Sequence, residues 1–410
     1  MKTIPAVNEL DSTLSLFRDG NNFIWKRCQQ YGTDIFECRL LFKKTVCLSG
    51  KEAAEAFYNR SSMTRQGASP QSVLRLLQDK GSVATLDGKQ HALRKALFMS
   101  TLSTDAIATL IGRIEYLWRR TIECWPVQRD MVFLEHMQTV LGLAVCDWCG
   151  LSDDDRAVRD NIPRIAAMIN GAGAFGVRNW AATMQRKKTE DWLQKAVRHV
   201  REGNATARKD SPLWAYAHYE EEGEPLSEEV AAIELLNLIR PTIAVGHFLQ
   251  FAALALHFNP HCKTRILESE DYLEWFIQEV RRFYPFFPFV GGIATQPFEW
   301  RDHVFPPGTR FLLDLYGTNH DSRIWADPQR FEPERFQSWQ DDEYSLIPQG
   351  GGNYQQHHRC AGEQLTIKLM KTLVNLLVTE LNYKVIHLDY SVDLSRMPAR
   401  PKQPFTIRKI

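Results

Sequence analysis

The stretch "IPQGGGNYQQHHRCAGEQ", Ile347 to Gln364, carries the densest chemistry in the chain. Three consecutive glycines give a backbone free to turn tightly and to approach other groups closely. Two histidines and an arginine then lead to Cys360. After it Leu365, Leu369, Leu373, Leu376 and Leu377 recur at the spacing of an amphipathic helix. A thiolate in that position is stabilised by helix-terminal N–H groups and by neighbouring positive charge. Three readings compete. A zinc site built on His357, His358 and Cys360 is disfavoured, because adjacent ligands do not converge easily on one metal and no second Cys/His pair has the usual spacing. A nucleophilic cysteine requires a base and an orienting group, which sequence alone does not reveal. The third reading is an axial thiolate for haem iron.

Residues further out weigh on that choice. "EVRR" puts Glu279 and Arg282 one turn apart on a helix, and "FEPERF" supplies Arg335. A Glu-x-x-Arg pair alone is weak evidence, since surface helices are full of such pairs. In this order, ahead of a glycine-rich Arg-Cys-x-Gly loop, the set is specific. It resembles the cytochrome P450 family over essentially the whole chain. The resemblance implies a mainly α fold with small β-sheets, a single large domain over residues 1–410, and haem b with Cys360 as its thiolate ligand. It also implies that Glu279, Arg282 and Arg335 form a structural ion-pair triad holding the cysteine loop.

A second stretch, "NLIRPTIAVG" from Asn237 to Gly246, is at odds with its surroundings. Ser227 followed by Glu228 and Glu229 reads as a helix start. Apolar residues recur at helical spacing from Leu235 to Phe251, until Asn259-Pro260 stops them. That is a helix of about 30 residues, about 45 Å long. In its middle sit Arg240, a residue type rarely buried without a partner, and Pro241, which removes a helical hydrogen bond.

Ordinary members of the resembled family carry an acid–alcohol pair at this place, relaying protons to dioxygen; here no Asp/Glu–Thr pair is present. "RP" in the long helix together with "QGGG…HRC.GE" in the loop resembles the fatty-acid peroxygenase branch, and Asn353 stands where other members have phenylalanine. The resemblance implies that Arg240 holds the carboxylate of a long-chain fatty acid and that Pro241 aims the helix. Hydrogen peroxide then replaces dioxygen and redox partners, and oxidation falls at the α or β carbon. The held carboxylate would serve as general acid/base. The rival readings are a conventional monooxygenase fed by redox partners, an interhelical salt bridge at Arg240, and a haem-thiolate carrier.

The same resemblance implies further contacts. Arg65 in "MTRQG", His91 and Lys95 in "LDGKQHALRKALF", and His358 match positions facing the haem propionates, against a plain reading as a solvated basic face. Phe287, Pro288, Phe289 and Val290 match a loop that lines the substrate channel, or else are core. Ala84 in "SVATLDG" stands where relatives carry Gln or His, with Thr85 the occupant if the register slips by one. An alanine offers no proton, so hydroxylation is favoured over decarboxylation to an alkene.

Composition agrees with a globular enzyme: 410 residues, 44% hydrophobic, formal charge +1. A net charge near zero gives no support for nucleic acid or an anionic membrane as partner. The first residues lack the apolar core of a signal peptide, and eight unevenly spaced cysteines read as reduced thiols in a cytoplasm. "CDWC", Cys146 to Cys149, lies in a helical apolar pattern and reads as core. Two strands are expected over 35–50, more near "FVGGIATQPFEW" and "VFPPGTRFLLDLYG", and helices from about Pro70 to Arg282.

Overall fold

The central helix runs from Glu228 to Phe258, 31 residues, in a computed structural model. The structure describes residues 3–410 apart from 60–61, 70–75, 77–80, 152–154, 174–175, 206 and 387–389. The Ser227 hydroxyl accepts the Val230 N–H at 3.1 Å, and Glu228 and Glu229 occupy the first turn, where acids suit the dipole. Pro241 lies inside the helix and has no N–H to donate to the Asn237 carbonyl, yet the helix continues through it.

Helices packed around this rod include Phe133–Cys149, Asp155–Gly171, Val177–Arg201, Pro212–Ala217, Glu270–Phe283 and Glu363–Thr379. The central helix is long and apolar enough to cross a membrane, but 94% of that apolar window is buried inside the protein. It is therefore a core helix. Cys146 and Cys149 are fully buried beside it, as core side chains, and all eight cysteines are unbridged.

The strands come from both ends of the chain. The hairpin Ile35–Leu40/Lys43–Leu48 is antiparallel, with Ile35 opposite Leu48. Arg310–Asp314 joins Lys43–Leu48 in parallel, Phe289–Ala294 pairs antiparallel with Arg310–Asp314, and Met63–Thr64 closes the five-stranded sheet. A helix at Lys51–Tyr58 follows the hairpin as expected. One boundary differs from the sequence reading. In "LLDLYG" the strand stops at Asp314, whose carboxylate accepts the Gly317 N–H at 2.8 Å and caps a short helix, Leu315–Asn319. The start of the helical stretch expected from about Pro70 lies mostly outside the described residues.

The stripe predicted after Cys360 is core: Leu365, Leu369, Leu373, Leu376 and Leu377 are all buried. Leu373→Ala should cost about 2–5 kcal/mol through lost burial and the cavity left behind. The check is a lower denaturant midpoint at unchanged slope.

Candidate active site

The Glu279–Arg282 pair is buried and bidentate. Arg282 Nε donates to Glu279 Oε2 at 2.7 Å and Nη2 to Oε1 at 2.8 Å, and Arg335 Nε lies 3.2 Å from Oε2. The rest of each guanidinium holds backbone: Arg282 Nη1 donates to the carbonyls of Asn319 and Pro328, and Arg335 Nη1 to that of Ala326. The Asn319 side-chain oxygen in turn accepts the Ile347 N–H at 2.8 Å, at the foot of the cysteine loop. The three residues expected to form a triad are thus brought together.

The loop itself needs its glycines. Gly352 has φ +81°, and a Cβ there would run into the His357 ring; one on Gly351 would lie 2.8 Å from Ile347. Asn353 closes the turn, its side-chain oxygen accepting the N–H groups of Gln355 and Gln356. The Cys360 N–H donates to the Gln349 carbonyl at 3.1 Å, and the Glu363 N–H to the Cys360 carbonyl at 3.2 Å. Burial pushes the Cys360 thiol up, and Glu363 adds to this; the Gly362 N–H, Lys95 and the Gln349 amide pull the other way. A single thiolate backed by N–H donors would be the protein's bond to a haem iron. Among the described residues no group of three or more His, Cys, Asp or Glu is gathered to hold a metal ion, so the zinc reading gains no support.

The haem fit rests on the basic side chains alongside. His91 and His358 lie with ring centroids 4.0 Å apart, tilted by 34°. Burial first, and then Lys95 and Arg65, hold their pKa values down, to about 3 for His91, where His358 adds to the effect, and about 4 for His358. Asp87, 3.8 Å from His358, does not offset this. Arg65 donates to the Gly291 carbonyl and covers the Phe57 ring at 4.6 Å. The Arg65 cation and two neutral imidazoles able to donate N–H, gathered at the Cys360 loop, suit the anionic edge of a macrocycle, so the residues fit haem. Lys95 is placed differently from its neighbours. Its ammonium donates to the carbonyls of His357 and Arg359, so it braces the loop from the Gly88–Thr101 helix.

Arg240 is buried in the central helix. Its Nη1 donates to the Leu76 carbonyl at 3.3 Å and its Nη2 to Asn237 Oδ1 at 3.0 Å. Both acceptors are neutral, and no carboxylate lies within ion-pair distance of it among the described residues. Desolvation, with Arg186 adding to it, brings its pKa down to about 9. The Thr242 hydroxyl is turned back onto the Leu238 carbonyl at 2.8 Å, and Pro241 precedes it, so no acid–alcohol pair exists here.

Ala84 sits half-buried in the Val83–Thr85 turn, whereas Thr85 is buried with its hydroxyl on the Ser82 carbonyl. The pleat splits the channel candidates. Phe287 and Val290 pack toward Phe57, Tyr58 and Ile347, while Phe289 packs on the other side against Phe23, Phe36 and Cys47; Pro288 is buried, its carbonyl accepting the Leu315 N–H.

The cytochrome P450 family model matches residues 262–406. A solved mutant of cytochrome P450SP alpha (CYP152B1) superposes with a TM-score of 0.94 at 39% identity, covering 97% of this chain and 98% of that one. The chain belongs to the cytochrome P450 family. Cytochrome P450EX alpha (CYP152N1), solved with myristic acid, is 36% identical with a TM-score of 0.95 over 100% of this chain and 99% of that one. A variant of cytochrome P450 OleT, solved with arachidonic acid, is 32% identical with a TM-score of 0.95, covering 99% of this chain and 98% of that one. Abscisic acid 8'-hydroxylase 2 of Arabidopsis thaliana is more distant, 23% identical over 99% of this chain and 88% of its own length. Within the P450 family the chain falls in the fatty-acid peroxygenase branch, and its cofactor is protoporphyrin IX haem with a thiolate ligand.

Sequence reading missed two buried networks around this P450 site. Glu363 accepts from Arg281, and from Arg359 Nε at 2.6 Å, locking the cysteine loop from behind. Arg94 donates to Glu234 at 2.7 Å, 140 residues away. The available signals were a doubled arginine at 281–282, the glutamate three after Cys360, and a lone glutamate in the apolar central helix.

Two outcomes follow for the site. The ferrous carbon monoxide complex should show the red-shifted Soret band of thiolate ligation, and Cys360→Ala should lose it. Glu279→Gln leaves Arg282 buried without its charge partner and should cost about 3–5 kcal/mol, read as a lower melting temperature and a smaller haem-loaded fraction on purification.

Proposed function

We propose that this P450 is a peroxygenase that hydroxylates long-chain fatty acids at the α or β carbon with hydrogen peroxide. The observation that carries the reading is Arg240, a buried cation whose hydrogen-bond acceptors among the described residues are neutral, next to Pro241 in a helix that lacks an acid–alcohol pair. A buried guanidinium without a counter-charge is costly, and a carboxylate arriving from outside supplies the missing partner.

When bound, haem supplies the iron at which the peroxide O–O bond breaks and an oxygen atom passes to carbon. The protein's own part is binding and orientation. Arg240 holds the carboxylate in a charge-assisted pair. The held carboxylate takes a proton from one peroxide oxygen and returns it to the other, so the reaction balances as acid plus hydrogen peroxide to hydroxy acid plus water. Anchoring at the acid end explains oxidation near that end. Arg65, His91 and His358 would hold the propionates, Lys95 the loop, and Phe287, Pro288 and Val290 part of the channel wall. Phe289, turned to the other side of the strand, is the weakest of the channel candidates. Ala84 brings no hydrogen-bonding group to the turn, which favours hydroxy acids over terminal alkenes. No obligatory redox partner is required by this scheme, and the enzyme is assigned to the cytoplasm. The solved relatives with myristic and arachidonic acids support the substrate class.

Purified enzyme incubated with a long-chain acid should form hydroxy acids with hydrogen peroxide alone. Arg240→Ala should lose at least about a hundredfold in turnover, the worth of one charged anchor of about 3 kcal/mol. Arg240→Lys should be intermediate, because a point charge does not reproduce the planar fork. A short acid too small to be oxidised should restore peroxide oxidation of a styrene or a phenol in wild type but not in Arg240→Ala. Turnover only with a reductase and NADPH would select the conventional monooxygenase instead.

A further inference from the structure

Glu234 is buried in the central helix, six residues before Arg240, and both its oxygens are used. Oε1 accepts from Arg94 Nη1 at 2.7 Å and from the Val83 N–H at 2.9 Å. Oε2 accepts the Asn237 amide N–H at 3.0 Å, and Asn237 Oδ1 accepts from Arg240 Nη2 at 3.0 Å. Arg94 is held on its far side by Glu221, 3.0 Å from its Nη2.

The chemistry leaves this chain one orientation. A carboxylate only accepts and a guanidinium only donates, so the amide between them must turn its NH2 to Glu234 and its oxygen to Arg240. Residues 234, 237 and 240 are spaced by three, one turn each, and lie along one side of the helix. The spacer has a purpose that direct contact would defeat. Glu234 bonded to Arg240 would cancel the charge that the substrate needs. With the amide interposed, Glu234 fixes the direction of the guanidinium while its own charge is matched by Arg94. The same carboxylate ties down the turn that carries Ala84, through the Val83 N–H.

We propose that Glu234, clamped by Arg94, is a positioning residue that aims Arg240 through Asn237 and fixes its height against the Val83–Thr85 turn, and so sets the ratio of α to β hydroxylation. This rests on the reading of Arg240 as the carboxylate anchor.

The test uses haem-loaded wild type, Asn237→Leu, Glu234→Gln, Arg94→Lys and Arg94→Met. Calorimetry gives the Kd of a long-chain acid and of the matching alcohol, and turnover with peroxide gives KM, kcat and the α:β ratio. Asn237→Leu removes an uncharged side chain, leaves the Glu234–Arg94 ion pair in place and should keep the thiolate carbon monoxide band. It should weaken acid binding and raise KM by about tenfold, the worth of one hydrogen bond to a charged group, and shift the α:β ratio. Its affinity for the alcohol should not change. Glu234→Gln and Arg94→Met should move the same quantities in the same direction, while Arg94→Lys, which keeps the charge on Glu234, should stay near wild type. Should Glu234→Gln fail to take up haem, Asn237→Leu decides alone. Unchanged acid affinity, KM and product ratio in Asn237→Leu would overturn the proposal. An equal loss of acid and alcohol affinity would also overturn it, since that marks general loosening. A wild-type enzyme that neither binds the acid nor hydroxylates it with peroxide sinks the reading of Arg240 itself, which is a different failure.

Discussion

The salt bridge between Glu279 and Arg282 is the constraint on which the cysteine loop depends. Buried charges are tolerated only when every donor and acceptor around them is matched. Here the surplus N–H groups of Arg282 and Arg335 are matched by backbone carbonyls between Asn319 and Arg330, a stretch with little regular structure of its own. Arg281, the preceding residue on the helix, does the equivalent for the other side by reaching Glu363 behind Cys360. Two adjacent arginines therefore hold the two flanks of one loop, and the thiol is fixed by ionic networks that never touch it.

The distal side works by the opposite rule. Behind Cys360 the buried charges of Arg281, Arg282, Arg359, Glu279 and Glu363 have their counter-charges inside the protein. At Arg240 the described residues provide geometry and withhold the counter-charge. The guanidinium is steered by neutral oxygens, those of Leu76 and Asn237, and Glu234 is kept one amide away. Electrostatic incompleteness at one point of a well-matched interior is what lets the substrate act as a chemical component of its own reaction.

How far the sequence could be read depended on whether a signal was local. Cys360 and the Glu279–Arg282 spacing were legible because each is defined within a few residues. Arg240 was legible because a charge in an apolar periodic run stands out against its neighbours. The Lys95 brace was not, because its partners are the carbonyls of His357 and Arg359, which every residue possesses. The Arg94–Glu234 pair joins segments 140 residues apart, and nothing local marks one as the other's partner. The four-residue channel reading at 287–290 overlooked that strand side chains alternate, so Phe289 and Val290 face different clusters.

The central helix also imposes an order of events during synthesis. It carries a window apolar enough for a bilayer, and the native protein encloses 94% of that window. Part of the enclosure, the helices around Phe133–Cys149 and Val177–Arg201, has already left the ribosome when Phe258 emerges. The helix Glu363–Thr379 that completes it comes about a hundred residues later, a delay on the order of 5–20 s at ordinary elongation rates. For that interval the nascent chain exposes a greasy flank that chaperones, or another nascent copy, will compete to cover. Slower elongation between these two helices lengthens that exposure in proportion.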